Sequence, residues 1–242
     1  MLIIKLNATD STNDYLKQLN KEKPLDNFTT VTTVSQTKGK GQMGAQWTSQ
    51  PGKNLTFSLL YKPKKQFCTS IFDVNVTIAV SIIEALETFE IPKLNIKWPN
   101  DILAENKKIG GILIENSLKA DATIDTIIGI GINVNQESFP DFIQASSLKK
   151  ITGLEYDLEI LLDKITNTIQ QNLEEIDSQK EFFWKQYHQH LFKHNQPMAF
   201  ENTSQEKFMG IIKNVSTDGK LQIQLEDDSI QSFGLKEIKM LY

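Results

Sequence analysis

The sequence predicts a domain of mixed strands and helices followed by a small C-terminal β-barrel. Segments rich in β-branched residues alternate with two long helices whose apolar residues fall on one face. Residues 124–132 (IDTIIGIGI) are apolar enough for a central strand. After about His194, short alternating segments and turn residues take over, which is typical of a small barrel. We therefore expect a large domain at 1–194 and a small one at 195–242.

The N-terminal quarter is predicted to contain strands, one helix and a long loop. β-branched and aromatic residues favour the strands, and a run of Ser, Thr and Asn is a favourable helix start. The glycines between the second and third strands predict a loop. The expected elements are strands at 2–6, 28–35 and 54–61, a helix from Ser11-Thr12-Asn13 to about Leu19, and a glycine-rich loop at 37–53.

The rest of the chain supplies the long helices and the remaining strands. Apolar residues at helical spacing define each helix, and Pro92 follows the first of them. The expected elements are helices at 72–89, 157–176 and 180–192, strands at 94–98, 109–115 and 124–132, and a hairpin around Asp218-Gly219 and 221–225.

Composition narrows the classes of function. The net charge of −4 gives no electrostatic reason to expect a nucleic-acid partner. The single cysteine, Cys68, cannot form an internal disulfide, and we expect it to be packed in the interior. The N-terminus does not resemble a signal peptide, and no apolar stretch approaches the length of a membrane span. We therefore expect a cytoplasmic protein without a membrane partner. All 26 basic residues are lysines.

Residues 39–44 (GKGQMG) match the spacing of a dinucleotide-binding fingerprint. That fingerprint must open a helix, whereas the following residues, 45–52 (AQWTSQPG), cannot start one. The pattern instead indicates a flexible loop whose backbone amides, with Lys38 and Lys40, surround an anion. An ordinary surface turn is the alternative.

Three further segments carry candidate functional side chains. Residues 97–101 (KWPND), taken alone, predict a tight turn. Lys108 heads an apolar strand that continues with Gly110 and Gly111, so it can reach a ligand lying close to the backbone. For the neighbouring Lys107, the alternative is that the lysine pair is simply exposed to solvent. Asn133 ends the most apolar strand, and its amide either pairs with a purine edge or caps the strand.

The three histidines at 188, 190 and 194 do not predict a metal site. Only the last two share a helical face, and no acidic residue completes a zinc-binding set. We therefore assign no metal ligands in the chain.

Taken together, five segments resemble the biotin–protein ligase family in order and spacing. They are 11–13 (STN), 36–47 (QTKGKGQMGAQW), 97–101 (KWPND), 107–115 (KKIGGILIE) and 129–133 (GIGIN). The resemblance implies an α+β fold, in which a biotin/lipoyl ligase-like catalytic domain with a mixed β-sheet and flanking helices is followed by an SH3-like barrel. It also implies activation of biotin by ATP as biotinyl-5′-AMP and transfer to a lysine of a biotin carboxyl carrier protein. Relatives with a DNA-binding segment act as repressors; this chain starts at the catalytic domain, so we expect no repressor activity.

The resemblance assigns roles to individual residues. Lys108 would neutralise charge at the phosphate, and Asp101 would orient or deprotonate the acceptor lysine. Biotin would contact Ser11, Thr12, Asn13, Gln36, Gly39, Lys40, Gly41, Lys108 and Gly111. ATP and the adenylate would contact Lys40, Gln42, Trp47, Asn100, Lys108, Gly131 and Asn133. Mg²⁺ would be held mainly by the phosphates, no prosthetic group is expected, and a homodimer is possible within the family.

This sequence departs from the family in its loop, where relatives commonly have arginines. Lys40 stands at the first such position and the neutral Gln42 at the second, with Ala45 where a third basic residue is frequent. Lys38 is the candidate to supply the missing charge. Three alternatives to a biotin ligase remain at this stage: a lipoate ligase or octanoyl transferase, a non-catalytic sensor of biotin or nucleotide, and a nucleotide-binding oxidoreductase.

Overall fold

The first seven strands form one mixed sheet. The computed structural model describes residues 1–63, 70–118, 123–139 and 144–242. The strands follow the spatial order β1, β2, β3, β7, β6, β5, β4; β1 and β2 are parallel, and the other pairs are antiparallel. Their bounds are β1 Ile3–Thr9, β2 Thr30–Gln36, β3 Leu55–Tyr61, β4 Leu94–Lys97, β5 Asp101–Ala104, β6 Lys107–Leu118 and β7 Ile124–Ile132.

Five helices accompany this sheet in the described part of the chain: α1 Thr12–Glu22, α2 Ile71–Glu87, α3 Leu148–Thr152, α4 Leu158–Glu174 and α5 Lys180–Gln189. The predicted long helices are therefore confirmed, and Ser11 is the N-cap of α1, as expected. The short helix α3 was not predicted, because five residues with one buried apolar side chain, Leu148, show no periodicity. None of the described helices is long and apolar enough to cross a membrane.

Strands β3 and β7 are buried on both faces, and this explains their continuous apolar sequences. Side chains alternate along each strand, so Phe57, Ile128 and Ile130 join the large cluster that contains the apolar faces of α2 and α4. Leu60 and Ile127 belong to a smaller cluster with Leu16 of α1. Gly129 and Gly131 alternate with Ile128 and Ile130, so they lie on the face that α1 covers.

A second, antiparallel sheet of five strands follows: β8 Pro197–Asn202, β9 Lys207–Val215, β10 Leu221–Gln224, β11 Ile230–Phe233 and β12 Ile238–Leu241. Its order is β11, β10, β9, β8, β12. The fold class is confirmed, and this sheet is compatible with an SH3-like domain. Its strands do not close into a complete barrel, because β11 and β12 are the two edges of an open ladder. The domain boundary at residue 194 stays a prediction.

The two sheets are joined through the turn before β10. The indole of Trp98 is buried and donates a hydrogen bond of 2.9 Å to the carbonyl oxygen of Gly219. A Cβ at Gly219 would lie 2.9 Å from Cε2 of Phe72, and the residue has φ +85°, so both space and backbone conformation require glycine. The second sheet is thereby fixed beside the KWPND segment.

Candidate functional site

A cavity of about 750 Å³ opens between α1, the loop after β2, strands β5 to β7 and the end of the second sheet. Two predicted site residues, Gly39 and Asn133, do not line it. Those that do are Ser11, Thr12, Asn13, Gln36, Lys40, Gly41, Gln42, Trp47, Asn100, Asp101, Lys108, Gly111 and Gly131. The structure thus brings together segments that are far apart in the sequence.

One end of the cavity is a corner of neutral polar groups. Gln36 Oε1 accepts hydrogen bonds from Thr12 N (2.9 Å) and Thr12 Oγ1 (3.2 Å). Ser58 Oγ lies 2.7 Å from Thr12 Oγ1 and 2.5 Å from Asn13 Oδ1, and Asn13 Nδ2 donates to Glu115 at 2.8 Å. These contacts fix the orientation of each amide and hydroxyl. The corner is therefore preorganised for a ligand with its own donors and acceptors.

Glycines form the floor of the cavity. A Cβ at Gly131 would lie 2.5 Å from Cζ2 of Trp47, and a Cβ at Gly129 would lie 3.0 Å from Cγ of Asn13. At Gly111, across the strand pair from Gly131, a Cβ would be at ordinary contact distance, 3.6 Å from the Lys108 ammonium. The indole of Trp47 therefore lies against bare backbone. Its buried Nε1 has no hydrogen-bond partner within the described residues.

Asp101 lies between two lysines on the wall of the cavity. Its carboxylate is 2.6 Å from Lys108 Nζ and 3.8 Å from Lys97 Nζ, and its side chain is only 17% exposed. The Lys97 ammonium also lies 4.9 Å from the ring centroid of Tyr242, near the end of the second sheet. Lys108 and Asp101, the two predicted catalytic residues, are thus in direct contact.

The glycine loop, residues 37–47, folds back on itself over the cavity. Trp47 N donates to Gly39 O at 3.0 Å, and a Cβ at Gly39 would collide with the carbonyl oxygen of Trp47 on the other arm of the loop. Gly39 is therefore required for the close approach of the loop arms, although it does not line the cavity. Lys40 bonds Asp14 of α1 at 2.7 Å, and this hydrogen bond raises the pKa of the lysine.

Lys38, the predicted source of the charge that Gln42 lacks, lies outside the cavity. Its ammonium bonds Asp10 at 2.8 Å and lowers the pKa of that carboxyl, and Lys38 is absent from the cavity wall. Lys236, which was not predicted, contacts the loop instead, through a hydrogen bond of 3.2 Å to Met43 O.

The two asparagines that were predicted to contact ATP and the adenylate, Asn100 and Asn133, hold backbone in the structure. Asn100 Nδ2 donates to Ile112 O at 2.6 Å, which fastens the turn between β4 and β5 to strand β6. Asn133 is buried, and its Nδ2 donates to Ser146 O at 3.1 Å. Asn100 reaches the cavity from the turn, whereas Asn133 lies outside its wall.

Sequence reasoning missed two groups of residues. Ser58 is a hydroxyl within an apolar strand, and that contrast is a local signal that could have identified it. The C-terminal segment, which contributes Lys236, Lys239 and Tyr242 to the cavity, gave no such signal. Within the described residues no group of three His, Cys, Asp or Glu side chains could hold a metal ion. Cys68 lies outside the described residues.

Comparison with known proteins gives concordant results. The profile of the Biotin/lipoate A/B protein ligase family matches residues 6–133. The bifunctional ligase/repressor BirA of Bacillus subtilis is 38% identical over 133 residues, which are 53% of this chain and 41% of that protein. The biotin--[acetyl-CoA-carboxylase] ligase of Paracoccus denitrificans is 30% identical over 131 residues, 53% of each chain. These alignments therefore span about half, or less, of the relatives' own lengths.

A solved structure is similar over almost the whole chain. The biotin protein ligase from Aquifex aeolicus, in complex with biotin and ATP, has a TM-score of 0.81 and 31% identity. The match covers 99% of this chain and 98% of the Aquifex chain, so it includes the second sheet as well as the first.

Proposed function

Because the chain belongs to the biotin/lipoate A/B protein ligase family, we propose that it is an ATP-dependent biotin–protein ligase. The proposed reaction forms biotinyl-5′-AMP and transfers the biotinyl group to a lysine of a biotin carboxyl carrier domain. The observation that carries the proposal is a single cavity lined by the polar corner, the glycine floor and the Lys108–Asp101 pair. The similar Aquifex ligase is described with biotin and ATP together.

The polar corner favours biotin over lipoate as the acid. The ureido ring of biotin carries two N–H donors and a carbonyl acceptor, whereas the dithiolane ring of lipoate carries neither. Thr12, Asn13, Gln36 and Ser58 already form a hydrogen-bonded network at this end of the cavity. The ureido ring can exchange hydrogen bonds with this network, whereas an apolar ring can form none with it, so the corner discriminates in favour of biotin.

In the first step, a carboxylate oxygen of biotin attacks the α-phosphorus of ATP and pyrophosphate leaves. Negative charge accumulates on the phosphoryl oxygens, and a preorganised cation stabilises it. Lys108 is the proposed cation, because it lies at the edge of the glycine floor, where a ligand can approach the backbone closely. The phosphate would compete with Asp101 for this lysine, so the ion pair holds Lys108 until the substrate arrives.

In the second step, the amine of the acceptor lysine attacks the biotinyl carbonyl carbon and AMP leaves. This amine has an ordinary pKa of about 10.4 and must lose a proton before it can react. Asp101 is the proposed proton acceptor, and it is the only Asp or Glu side chain among the described residues that line the cavity. The nearby Lys97 limits the positions that the carboxylate can take.

Mg²⁺ fits this site as a companion of ATP. Asp101 is paired with lysines, and the described residues contain no carboxylate cluster that would bind the ion independently. The ATP phosphates would therefore hold Mg²⁺ and bring it into the cavity, where it would share the neutralisation of phosphate charge.

Pyrophosphate exchange into ATP, measured with biotin and with lipoate in turn, tests the proposed substrate. We expect exchange with biotin and a rate lower by orders of magnitude with lipoate. Equal rates, or faster exchange with lipoate, would assign the chain to the other branch of the family. Binding of biotin without any exchange would instead favour the non-catalytic sensor.

Three of the earlier expectations remain proposals: a cytoplasmic location, the absence of repressor activity and a possible homodimer. The relatives from Bacillus are named as both ligase and repressor, so the family alone does not decide the question of repression.

A further inference from the structure

Among the described residues, five lysines line the cavity, and four of them have a carboxylate partner. Lys40 lies 2.7 Å from Asp14, and Lys239 lies 3.9 Å from Glu201. Lys97 and Lys108 share Asp101. For the fifth, Lys236, no carboxylate among the described residues lies within 4.0 Å of the ammonium. Lys236 is therefore the cavity lysine whose charge is not compensated by an acidic side chain.

The ammonium of Lys236 already reaches the glycine loop. It donates to Met43 O at 3.2 Å, and Met43 directly follows the neutral Gln42. Lys236 stands in the turn before β12, so this contact joins the second sheet to a loop that extends from the first. A carbonyl satisfies one of the three N–H donors of an ammonium and leaves its charge available to an anion.

We propose that Lys236 is a further binding residue for the phosphate of the nucleotide, supplied by the second sheet. This inference rests on the proposed function, since it takes the adenylate to be the anion under the loop. In the proposed arrangement, Lys236 supplies the positive charge that Gln42 lacks. The second sheet would then retain the intermediate as well as complete the cavity wall.

The test compares Lys236→Gln with Lys236→Arg and the control Lys213→Gln. Lys213 is exposed on β9 of the same sheet and does not line the cavity, so its replacement removes one charge elsewhere. The measurements are the dissociation rate of biotinyl-5′-AMP and the dissociation constant of biotin alone, each at low and at high salt.

Loss of one charge-assisted contact to phosphate is expected to speed release of biotinyl-5′-AMP on the order of tenfold in Lys236→Gln. Affinity for biotin should change less than about twofold, because biotin alone brings no phosphate. Lys236→Arg should restore slow release, Lys213→Gln should match the wild type, and the effect should shrink at high salt.

Two results would overturn the assignment of Lys236. One is a rate of release in Lys236→Gln equal to that of the wild type. The other is an equal loss of biotin and biotinyl-5′-AMP that salt does not change, since this would indicate a role limited to holding the loop. A wild-type protein that binds neither ligand would overturn the proposed function itself, and the assignment of Lys236 with it.

Discussion

Gly131→Ala tests whether residue 131 must be glycine because the Trp47 ring packs against the backbone there. The new methyl group would lie 2.5 Å from Cζ2 of Trp47, whereas carbon atoms pack at about 3.5–4.0 Å. The ring or the strand must therefore move by roughly 1 Å. Overpacking of this kind costs about 1–3 kcal/mol of folding free energy, and the partly exposed Trp47 can relax, which favours the lower half of that range.

Gly111→Ala is the matched control, because Gly111 faces Gly131 across the same strand pair and a Cβ there meets only ordinary contacts. Alanine restricts the unfolded chain, so this control should be neutral or stabilising by about 0.4–1 kcal/mol. Urea unfolding of Gly131→Ala, Trp47→Ala and the double variant completes a thermodynamic cycle.

The penalty of Gly131→Ala should largely disappear in the Trp47→Ala background, because the clashing ring is then absent. A penalty that persists in that background would refute the reasoning. So would a Gly131→Ala protein as stable as Gly111→Ala.

Four further predictions concern the charged residues of the site. Lys108→Ala should lower biotin-dependent pyrophosphate exchange roughly 10²–10³-fold without lowering the melting temperature, and near-normal exchange would contradict its role. Asp101→Asn should slow single-turnover transfer more than adenylation; equal loss in both would mean that Asp101 acts by holding Lys108. Gln42→Arg should slow release of biotinyl-5′-AMP most clearly in the Lys236→Gln background, less so at high salt, and an unchanged rate in that background would show that the loop needs no second charge. Asp14→Asn should also slow release, because it frees Lys40 for the anion; faster release would show that the Asp14 contact holds the loop in its binding position.

Short motifs allowed much of the site to be predicted. The sequence Ser-Thr-Asn at 11–13 predicts a helix start. The first turn of that helix places Thr12 and Asn13 in the cavity wall. The segment 97–101 combines a turn with a strand start, so Asp101 has a defined position next to Lys108. In each case a few neighbouring residues determine the local backbone, and the resemblance to a family supplied the role.

The missing parts depend on contacts between distant segments. Lys236 and Tyr242 reach the cavity because contacts between distant segments, such as the Trp98–Gly219 and Gln144–Tyr242 hydrogen bonds, place the second sheet beside it, and no local pattern encodes those contacts. Strands β11 and β12 do not pair, which leaves the second sheet open. The alternation of apolar and polar residues predicts strands, but it does not specify which strands pair. Likewise, Lys38 and Lys40 are equivalent in the sequence, and the positions of Asp10 and Asp14 determine which of the two lines the cavity.

Transfer of biotin to a carrier protein tests the proposed function most directly. A purified biotin carboxyl carrier domain is incubated with the chain, biotin, ATP and Mg²⁺, and its intact mass is then measured. The proposed function predicts the addition of one biotinyl group to one lysine, dependent on ATP and absent with Lys108→Ala. A carrier whose mass stays unchanged with the wild-type chain, while a known ligase modifies the same preparation, would contradict it.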